Sequence, residues 1–253
     1  MLVTYLKMPS PLIILSGFYA ILAAIYIVSY WHDGYWRGMF KGLKRLALTH
    51  FKLLSWIVFS ILLLILLVDK PITQLCQAYY NQNFYTLVNF ICSMAEGWFI
   101  GGAIFTFVLI LDFFGKTQQA ILLKISLMSL IFAGLINGII KFIFNRQRPS
   151  IGLEPLNFFH FFISGAKSYS NLTYAYNSMP SGHTITTFAA ITPLILYSKH
   201  KRYKILFLFL GILEGFSRVY TINHWLSDVC VSAILGSVIG YLGYKLNQYR
   251  LFK

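Results

Sequence analysis

Acidic residues are scarce in this sequence. Only seven of its 253 residues are Asp or Glu, and charged side chains of both signs make up 11% of the chain. Soluble domains carry about 25% charged residues, so this composition excludes an ordinary water-soluble fold. No group of acids is clustered in the way that would hold magnesium. The composition therefore predicts a membrane protein. We expect it to use no metal ion and no other cofactor.

Cysteine is equally sparse, with three residues and no spacing typical of a metal site. Cys76 and Cys92 fall in one predicted external segment, where they form either a disulfide, if that compartment is oxidising, or two free thiols. Cys230 lies within the last predicted span. Internal repeats and low-complexity linkers are also lacking, which favours a single helical bundle.

Apolar residues, in contrast, make up 58% of the chain and recur in long runs. About 20 apolar residues are needed to cross a hydrocarbon core of about 30 Å. The first run lacks a basic leading region and a small-residue cleavage site, so we expect it to remain as an anchor. The runs predict seven transmembrane helices, at residues 11–30, 52–68, 98–114, 121–144, 183–198, 205–221 and 225–245.

The basic residues follow this topology. The net charge is +14, and with an external N-terminus fourteen of the 21 Lys and Arg residues fall on one side of the membrane. The positive-inside rule makes that side cytoplasmic, where anionic lipid headgroups are sufficient partners and nucleic acid is not expected. The segment from Trp31 to Phe51 interleaves basic and aromatic residues and is predicted to lie along the inner interface.

Two segments are predicted to be external. Residues 69–97 are polar with amphipathic stretches, and we expect short surface helices there. Residues 150–179 contain LNFFHFFISG, whose apolar core is too short to span and favours an interfacial or re-entrant piece. Its phenylalanines serve either as interfacial anchors or as one wall of a lipid entrance.

Polar residues that the bilayer tolerates poorly gather at predicted outer helix ends. In KFIFNRQRP, Lys141 and Arg148 are two helical turns apart and share a face before Pro149 ends the helix. In PSGH, Ser181 is a candidate N-cap, and Gly182 lets an anion approach the free N–H groups of the first turn. His183 follows, placed to transfer a proton. The alternatives are a basic C-terminal cap and an ordinary N-cap.

The third stretch, SRVYTINHWLSD, places His224 and Asp228 one helical turn apart. The carboxylate can then accept the Nδ1–H of the imidazole and leave Nε2 unprotonated, although a structural hydrogen bond is the alternative. Arg218 adds a third cation. Glu214, four residues before Arg218, is expected to pair with that guanidinium or to orient a neighbouring polar group.

Alternating topology brings the three stretches to one layer of the membrane. Three cations, a helix start and a carboxylate-held imidazole suit a multiply charged oxyanion, and phosphate fits best. Without a magnesium site, charge that develops during transfer would be stabilised by the protein itself.

Together the stretches resemble the type 2 phosphatidic acid phosphatase (PAP2) family. The family motifs are Lys, six residues, Arg-Pro; then PSGH; then Ser-Arg, five residues, His, three residues, Asp, and all positions match in order. The resemblance implies an all-α, polytopic membrane helical bundle with a six-helix PAP2-like core, to which this chain adds one N-terminal transmembrane helix. We expect residues 1–50 to form that helix and a basic interfacial segment, and residues 51–253 to form the phosphatase domain.

The resemblance also implies roles for individual residues. His224 would attack phosphorus and become a phosphohistidine, with Asp228 orienting it. His183 would protonate the leaving oxygen and then activate water. The phosphoryl oxygens would be held by Lys141, Arg148, Ser181, Gly182 and Arg218, without a metal.

The expected function is that of a lipid phosphatase at the outer face of a bacterial cytoplasmic (inner) membrane. Candidate substrates are lipid A, undecaprenyl diphosphate, phosphatidylglycerol phosphate and phosphatidate. Arg146 either favours a substrate with more than one phosphate or contacts headgroups. The alternatives are a lipid phosphotransferase, a vanadate-dependent haloperoxidase and a non-catalytic lipid transporter or scaffold. The oligomeric state is not predicted.

Overall fold

The computed structural model describes residues 34–160 and 174–251, and these residues contain helices and no strand. The all-helical prediction is therefore confirmed for the described part of the chain, and the predicted first span, 11–30, lies outside it. The helices are α1 (Tyr35–Thr49), α2 (Phe51–Leu63), α3 (Asp69–Ala78), α4 (Gln82–Met94), α5 (Gly97–Phe113), α6 (Thr117–Phe144), α7 (Gly182–Tyr197), α8 (Lys201–Tyr220) and α9 (Leu226–Leu251). A short 3-10 turn covers Tyr174–Tyr176.

Helices α2 and α3 form one continuous rod of 28 residues, Phe51–Ala78, joined by a π-helical segment at Leu64–Val68. The predicted span ended at residue 68 because Asp69 looked like the end of an apolar run. This boundary is wrong, since Asp69 is fully buried and the helix continues beyond it. Pro71 has no N–H to donate to the carbonyl oxygen one turn earlier in the helix. π-helical segments commonly occur where the regular series of backbone hydrogen bonds is interrupted in this way.

The remaining predicted spans coincide with α5 to α9 within a few residues. By length and composition, three described helices can cross a membrane: Phe51–Ala78, Thr117–Phe144 and Leu226–Gln248. Helices α4 and α5 count as a fourth if they form one span, bent by 51°. Helix α7 has 16 residues and is about 24 Å long, shorter than the hydrocarbon core. The structure thus supports a multi-pass bundle without fixing seven spans.

Helices α6, α7 and α9 form the centre of the bundle. Phe132 of α6, Ile185 and Ala189 of α7, and Ile239 of α9 belong to one buried cluster. Gly236 and Gly240 of α9 face α7 so closely that a Cβ at Gly240 would lie 2.8 Å from the Ala189 carbonyl oxygen. Two glycines spaced by four allow such close helix packing inside a membrane.

Helix α1 packs against the far half of α9. Met39 is fully buried in the central cluster, and a Cβ at Gly42 would lie 2.8 Å from a methyl group of Leu242. Since α9 begins at Leu226, beside the motif residues, α1 lies at the opposite end of the bundle. The exposed side chains of α1 include Arg37, Lys41, Lys44 and Arg45.

Candidate active site

His224 lies in the short connection between α8 and α9 and is 2% exposed. The backbone N–H groups of Asn223 and His224 both donate to the Arg218 carbonyl, each at 3.2 Å, which fixes the connection on the end of α8. Burial, followed by the positive charge of Arg148, holds the pKa of His224 well below its ordinary value. The imidazole is therefore neutral near pH 7 and can act as a nucleophile.

The tautomer of His224 is set by a backbone carbonyl. Nδ1 lies 2.7 Å from the carbonyl oxygen of Ser178, so Nδ1 carries the proton and donates it. Asp228 was the expected acceptor, but its Oδ2 is 3.7 Å from Nδ1. That oxygen instead accepts from the Ser178 hydroxyl at 2.5 Å and from the Trp225 N–H at 3.0 Å. Asp228 thus acts mainly by holding the residues on either side of the imidazole.

Two motif cations converge on the open nitrogen. Arg148 Nη1 lies 3.3 Å from His224 Nε2, which fits an unprotonated, accepting nitrogen. The Asn177 carbonyl oxygen accepts from both Lys141 Nζ and Arg148 Nη2. Arg148 is fixed further by the Tyr174 and Asn223 carbonyls, and its guanidinium lies 3.6 Å from the centre of the Tyr174 ring. The Asn177 carbonyl therefore holds the charged groups of Lys141 and Arg148 close to each other, beside His224.

The helix start expected from PSGH is present. Ser181 occupies the N-cap position of α7 but makes no side-chain capping bond; its hydroxyl accepts from Thr184 Oγ1 at 2.9 Å. The Ser181 hydroxyl proton therefore remains available to another acceptor. A Cβ at Gly182 would lie 3.2 Å from Asn137 Nδ2 and 4.0 Å from Lys141 Cε, so this turn packs directly against the Lys141 helix. His183 is half-buried in the first turn.

Arg218, at the end of α8, is 7% exposed, and its charge acts on His224 together with those of Arg148 and Lys141. The expected ion pair with Glu214 is not formed. Both carboxylate oxygens of Glu214 and Nε of Arg218 are buried without a hydrogen-bond partner in the described part of the chain. The spacing of four residues predicted the pair, but in the structure the two side chains lie too far apart for it.

Arg146 is neither a surface charge nor a free cation beside the site. It is fully buried and forms ion pairs with Asp228 Oδ1 and, at 2.8 Å, with Asp69 Oδ2. The guanidinium lies 4.7 Å from the centre of the Phe158 ring and 5.3 Å from that of Trp225. The interpretation of Arg146 as a second phosphate ligand or a headgroup contact is therefore wrong.

The structure thus brings all eight predicted site residues to one end of the bundle, and it adds three that the sequence analysis did not identify. Asn177 and Ser178 lie just before PSGH, and both bind site residues through their carbonyl oxygens, which carry no sequence signal; Ser178 also donates its hydroxyl to Asp228. The sequence contains one indication that Asp69 is unusual, namely a carboxylate at the end of an apolar run. We interpreted it as the end of the transmembrane span. No group of three His, Cys, Asp or Glu residues within 34–160 and 174–251 is arranged to hold a metal ion.

Comparison with known proteins identifies the family. The model of the PAP2 superfamily matches residues 122–252, slightly more than half of the chain, so this chain belongs to the PAP2 superfamily. The lipid A 1-phosphatase of Porphyromonas gingivalis is 40% identical over 76 residues, which cover 29% of this chain and 17% of that protein. The matched stretch is thus only a small part of that relative.

Two solved structures share the fold. LpxE from Aquifex aeolicus aligns with a TM-score of 0.53 at 20% identity, over 70% of this chain and 95% of that one. A transmembrane PAP2 type phosphatidylglycerolphosphate phosphatase from Bacillus subtilis aligns with a TM-score of 0.57 at 20% identity, over 78% of this chain and 96% of that one. At this identity the similarity concerns the fold.

Proposed function

We propose that this protein is an integral membrane lipid phosphatase that hydrolyses a phosphomonoester or diphosphate of a membrane lipid. The observation that carries the proposal is the position of His224: its unprotonated Nε2 faces Arg148 at 3.3 Å, within the combined field of Lys141, Arg148 and Arg218. An oxyanion bound by these cations would present its central atom to the imidazole. Membership of the PAP2 superfamily supports phosphorus as that atom.

The reaction would take place in two steps. Nε2 of His224 attacks phosphorus, the bond to the lipid oxygen breaks, and the leaving oxygen takes a proton from His183. Water, deprotonated by His183, then attacks the phosphohistidine, so that the N–P bond breaks and inorganic phosphate leaves. Lys141, Arg148, Ser181, Gly182 and Arg218 hold the phosphoryl oxygens and stabilise the charge of both transition states.

The setting favours a lipid substrate. The outward faces of α2, α5 and α8 carry large exposed apolar side chains, for example Trp56, Phe107 and Phe209, so they suit a hydrocarbon environment. Because α7 is shorter than the hydrocarbon core, its N-terminus would lie at or below the headgroup level, where a lipid phosphate resides. The relatives' names favour lipid A and phosphatidylglycerol phosphate as the first substrates to test.

We further propose that the site faces the periplasm or exterior of a bacterial cytoplasmic membrane. Exposed basic residues lie at the opposite end of the bundle, on α1 and at the start of α8, where Lys201, Arg202 and Lys204 are found. The positive-inside rule places this end in the cytoplasm, against anionic lipids.

A phosphate-release assay tests the function. Purified protein in detergent with a chelator is given lipid A, undecaprenyl diphosphate, phosphatidylglycerol phosphate or phosphatidate, and His224→Ala serves as the control. We expect at least one lipid to yield inorganic phosphate, and His224→Ala to lower that rate by about 10³-fold or more. A phosphotransferase would instead transfer the phosphoryl group to a second lipid, without releasing inorganic phosphate. Equal rates for both proteins would refute the proposal.

A further inference from the structure

A carboxylate outside the three motifs is built into the site. Asp69, at the start of α3, is fully buried and lies outside the residues that the family model matches. Its Oδ2 accepts from Arg146 Nη2 at 2.8 Å and from the Ser227 hydroxyl at 2.5 Å. Its Oδ1 accepts from the Ser227 backbone N–H at 2.9 Å. Among the residues that the structure describes, the groups that donate to this carboxylate belong to Arg146 or to the first turn of α9.

The backbone before Asp69 departs from a regular helix. The π-helical segment Leu64–Val68 ends immediately before it, and a π turn contains about one residue more than an α turn. The extra residue rotates the following side chains about the helix axis, and Asp69 faces the bundle interior although the preceding helix is almost entirely exposed. Single π turns inside α-helices occur frequently at functional sites.

Arg146 links Asp69 to the histidine. Nη2 of Arg146 binds Asp69, and Nη1 binds Asp228 and the Ser227 hydroxyl, so one guanidinium lies between two carboxylates. Asp228 in turn holds Ser178, whose carbonyl accepts the Nδ1–H of His224. The trio of Asp69, Arg146 and Asp228 carries a net charge of −1, whereas Arg146 and Asp228 alone would form a neutral pair.

This charge balance matters when the imidazole attacks phosphorus. A neutral imidazole becomes positively charged as the N–P bond forms, and Lys141, Arg148 and Arg218 nearby oppose that charge. A fixed negative charge on the Nδ1 side stabilises the transition state, because it is already in position when the positive charge develops. Arg146 by itself would cancel the charge of Asp228.

We propose that Asp69 is a positioning residue that offsets the charge of Arg146, so that the negative charge of Asp228 remains effective at His224. Asp69 also accepts from the first turn of the helix that carries Asp228, and so sets that helix start. The inference rests on the proposed function, since it concerns the attack of His224 on phosphorus.

The test compares three variants with the wild-type protein in the phosphate-release assay, with kcat, KM and inhibition by inorganic phosphate measured for each. Asp69→Asn keeps the shape but makes the trio neutral. Asp69→Asn/Arg146→Gln removes both charges and returns the net charge to −1. Asp112→Asn is the matched control, because Asp112 pairs with Lys124 at the start of α6, far from the site.

We expect Asp69→Asn to lower kcat by about 10- to 100-fold, while KM and the phosphate inhibition constant change by less than about threefold. The double variant should recover at least about fivefold of the lost kcat, and Asp112→Asn should match the wild type. A purely structural Asp69 would give a different result, because its loss would lower the amount of folded protein and leave kcat per folded molecule unchanged.

Three results would overturn the inference. They are an unchanged kcat in Asp69→Asn, a double variant no faster than the single one, and failure of both Asp69 variants to accumulate in membranes while Asp112→Asn does. The last result would assign Asp69 to folding alone. Absence of phosphate release by the wild type, or full activity of His224→Ala, would instead refute the proposed function.

Discussion

At the scale of single residues, the structure shows which atoms contact each other in the site, and the sequence motifs do not. Sequence spacing correctly indicated that His224, Arg148 and Lys141 would lie together, because the motif residues fall at helix ends that alternating topology delivers to one side. It did not indicate which atom accepts the Nδ1–H, because the Ser178 carbonyl belongs to the backbone and reaches His224 only in three dimensions. The partners of Arg146, 77 and 82 residues away, were hidden for the same reason.

Glu214 gives a prediction at this scale. Its two carboxylate oxygens are buried without hydrogen-bond partners in the described part of the chain, so its desolvation is poorly compensated. If the ion pair expected from spacing had formed, a neutral Gln at this position would lower activity; the structure predicts the opposite. We expect Glu214→Gln to release phosphate within about threefold of the wild-type rate and to unfold at an equal or higher temperature.

The matched control is Glu154→Gln, since Glu154 is exposed. Both variants are assayed for phosphate release and for thermal unfolding in detergent. A loss of more than about tenfold in Glu214→Gln alone, at normal expression, would show that Glu214 gains a partner when substrate binds.

At the scale of helices, the apolar pattern predicted α5 to α9 within a few residues because hydrocarbon length constrains such runs. The same pattern failed at the junction of α2 and α3, because the acidic residue there, Asp69, can either end the helix or lie buried within it. An isolated carboxylate ends a span when it faces solvent and continues it when buried partners neutralise it. Only the three-dimensional positions of Arg146 and Ser227 distinguish the two cases.

The α7 and α9 interface gives a prediction at this scale. A Cβ at Gly236 would meet the Ile185 carbonyl oxygen and, at 2.9 Å, Cβ of Phe188. Overpacking of this kind costs about 1–3 kcal/mol, so we expect Gly236→Ala to lower the unfolding temperature by about 2–10 °C. Phosphate release should fall as well, because α7 carries His183 and α9 carries Asp228.

Gly138→Ala on α6 is the control, since a Cβ there would meet nothing within 4 Å. Thermal unfolding and activity are measured side by side for the two variants. Equal stability of Gly236→Ala and Gly138→Ala would contradict the close helix contact.

At the scale of the whole molecule, the site and the exposed basic residues of α1 and of the start of α8 lie at opposite ends. Composition alone identified a membrane protein, and the motif set identified the PAP2 family, which the family model confirms. Orientation rests on charge asymmetry, because nothing in the helix packing distinguishes the two faces of a membrane.

Cysteine labelling tests the orientation. In a background where Cys76, Cys92 and Cys230 are replaced by Ala, Ile151→Cys marks the site end and Lys201→Cys the basic end; both positions are exposed. We expect a membrane-impermeant maleimide to label Ile151→Cys in intact cells with a permeable outer envelope, and Lys201→Cys only after the cytoplasmic membrane is opened. The reverse pattern would place the site in the cytoplasm.

The central claim is that His224 carries the phosphoryl group during turnover. It is tested most directly by acid-free denaturation of the protein during reaction with a substrate lipid labelled with ³²P in its scissile phosphate, followed by peptide mapping. We predict an acid-labile, base-stable phosphohistidine at His224 that is absent from His224→Ala and disappears when unlabelled substrate is added before denaturation. Turnover of the same lipid with label on another residue, or with no phosphoenzyme even when His183→Asn slows hydrolysis, would contradict the account.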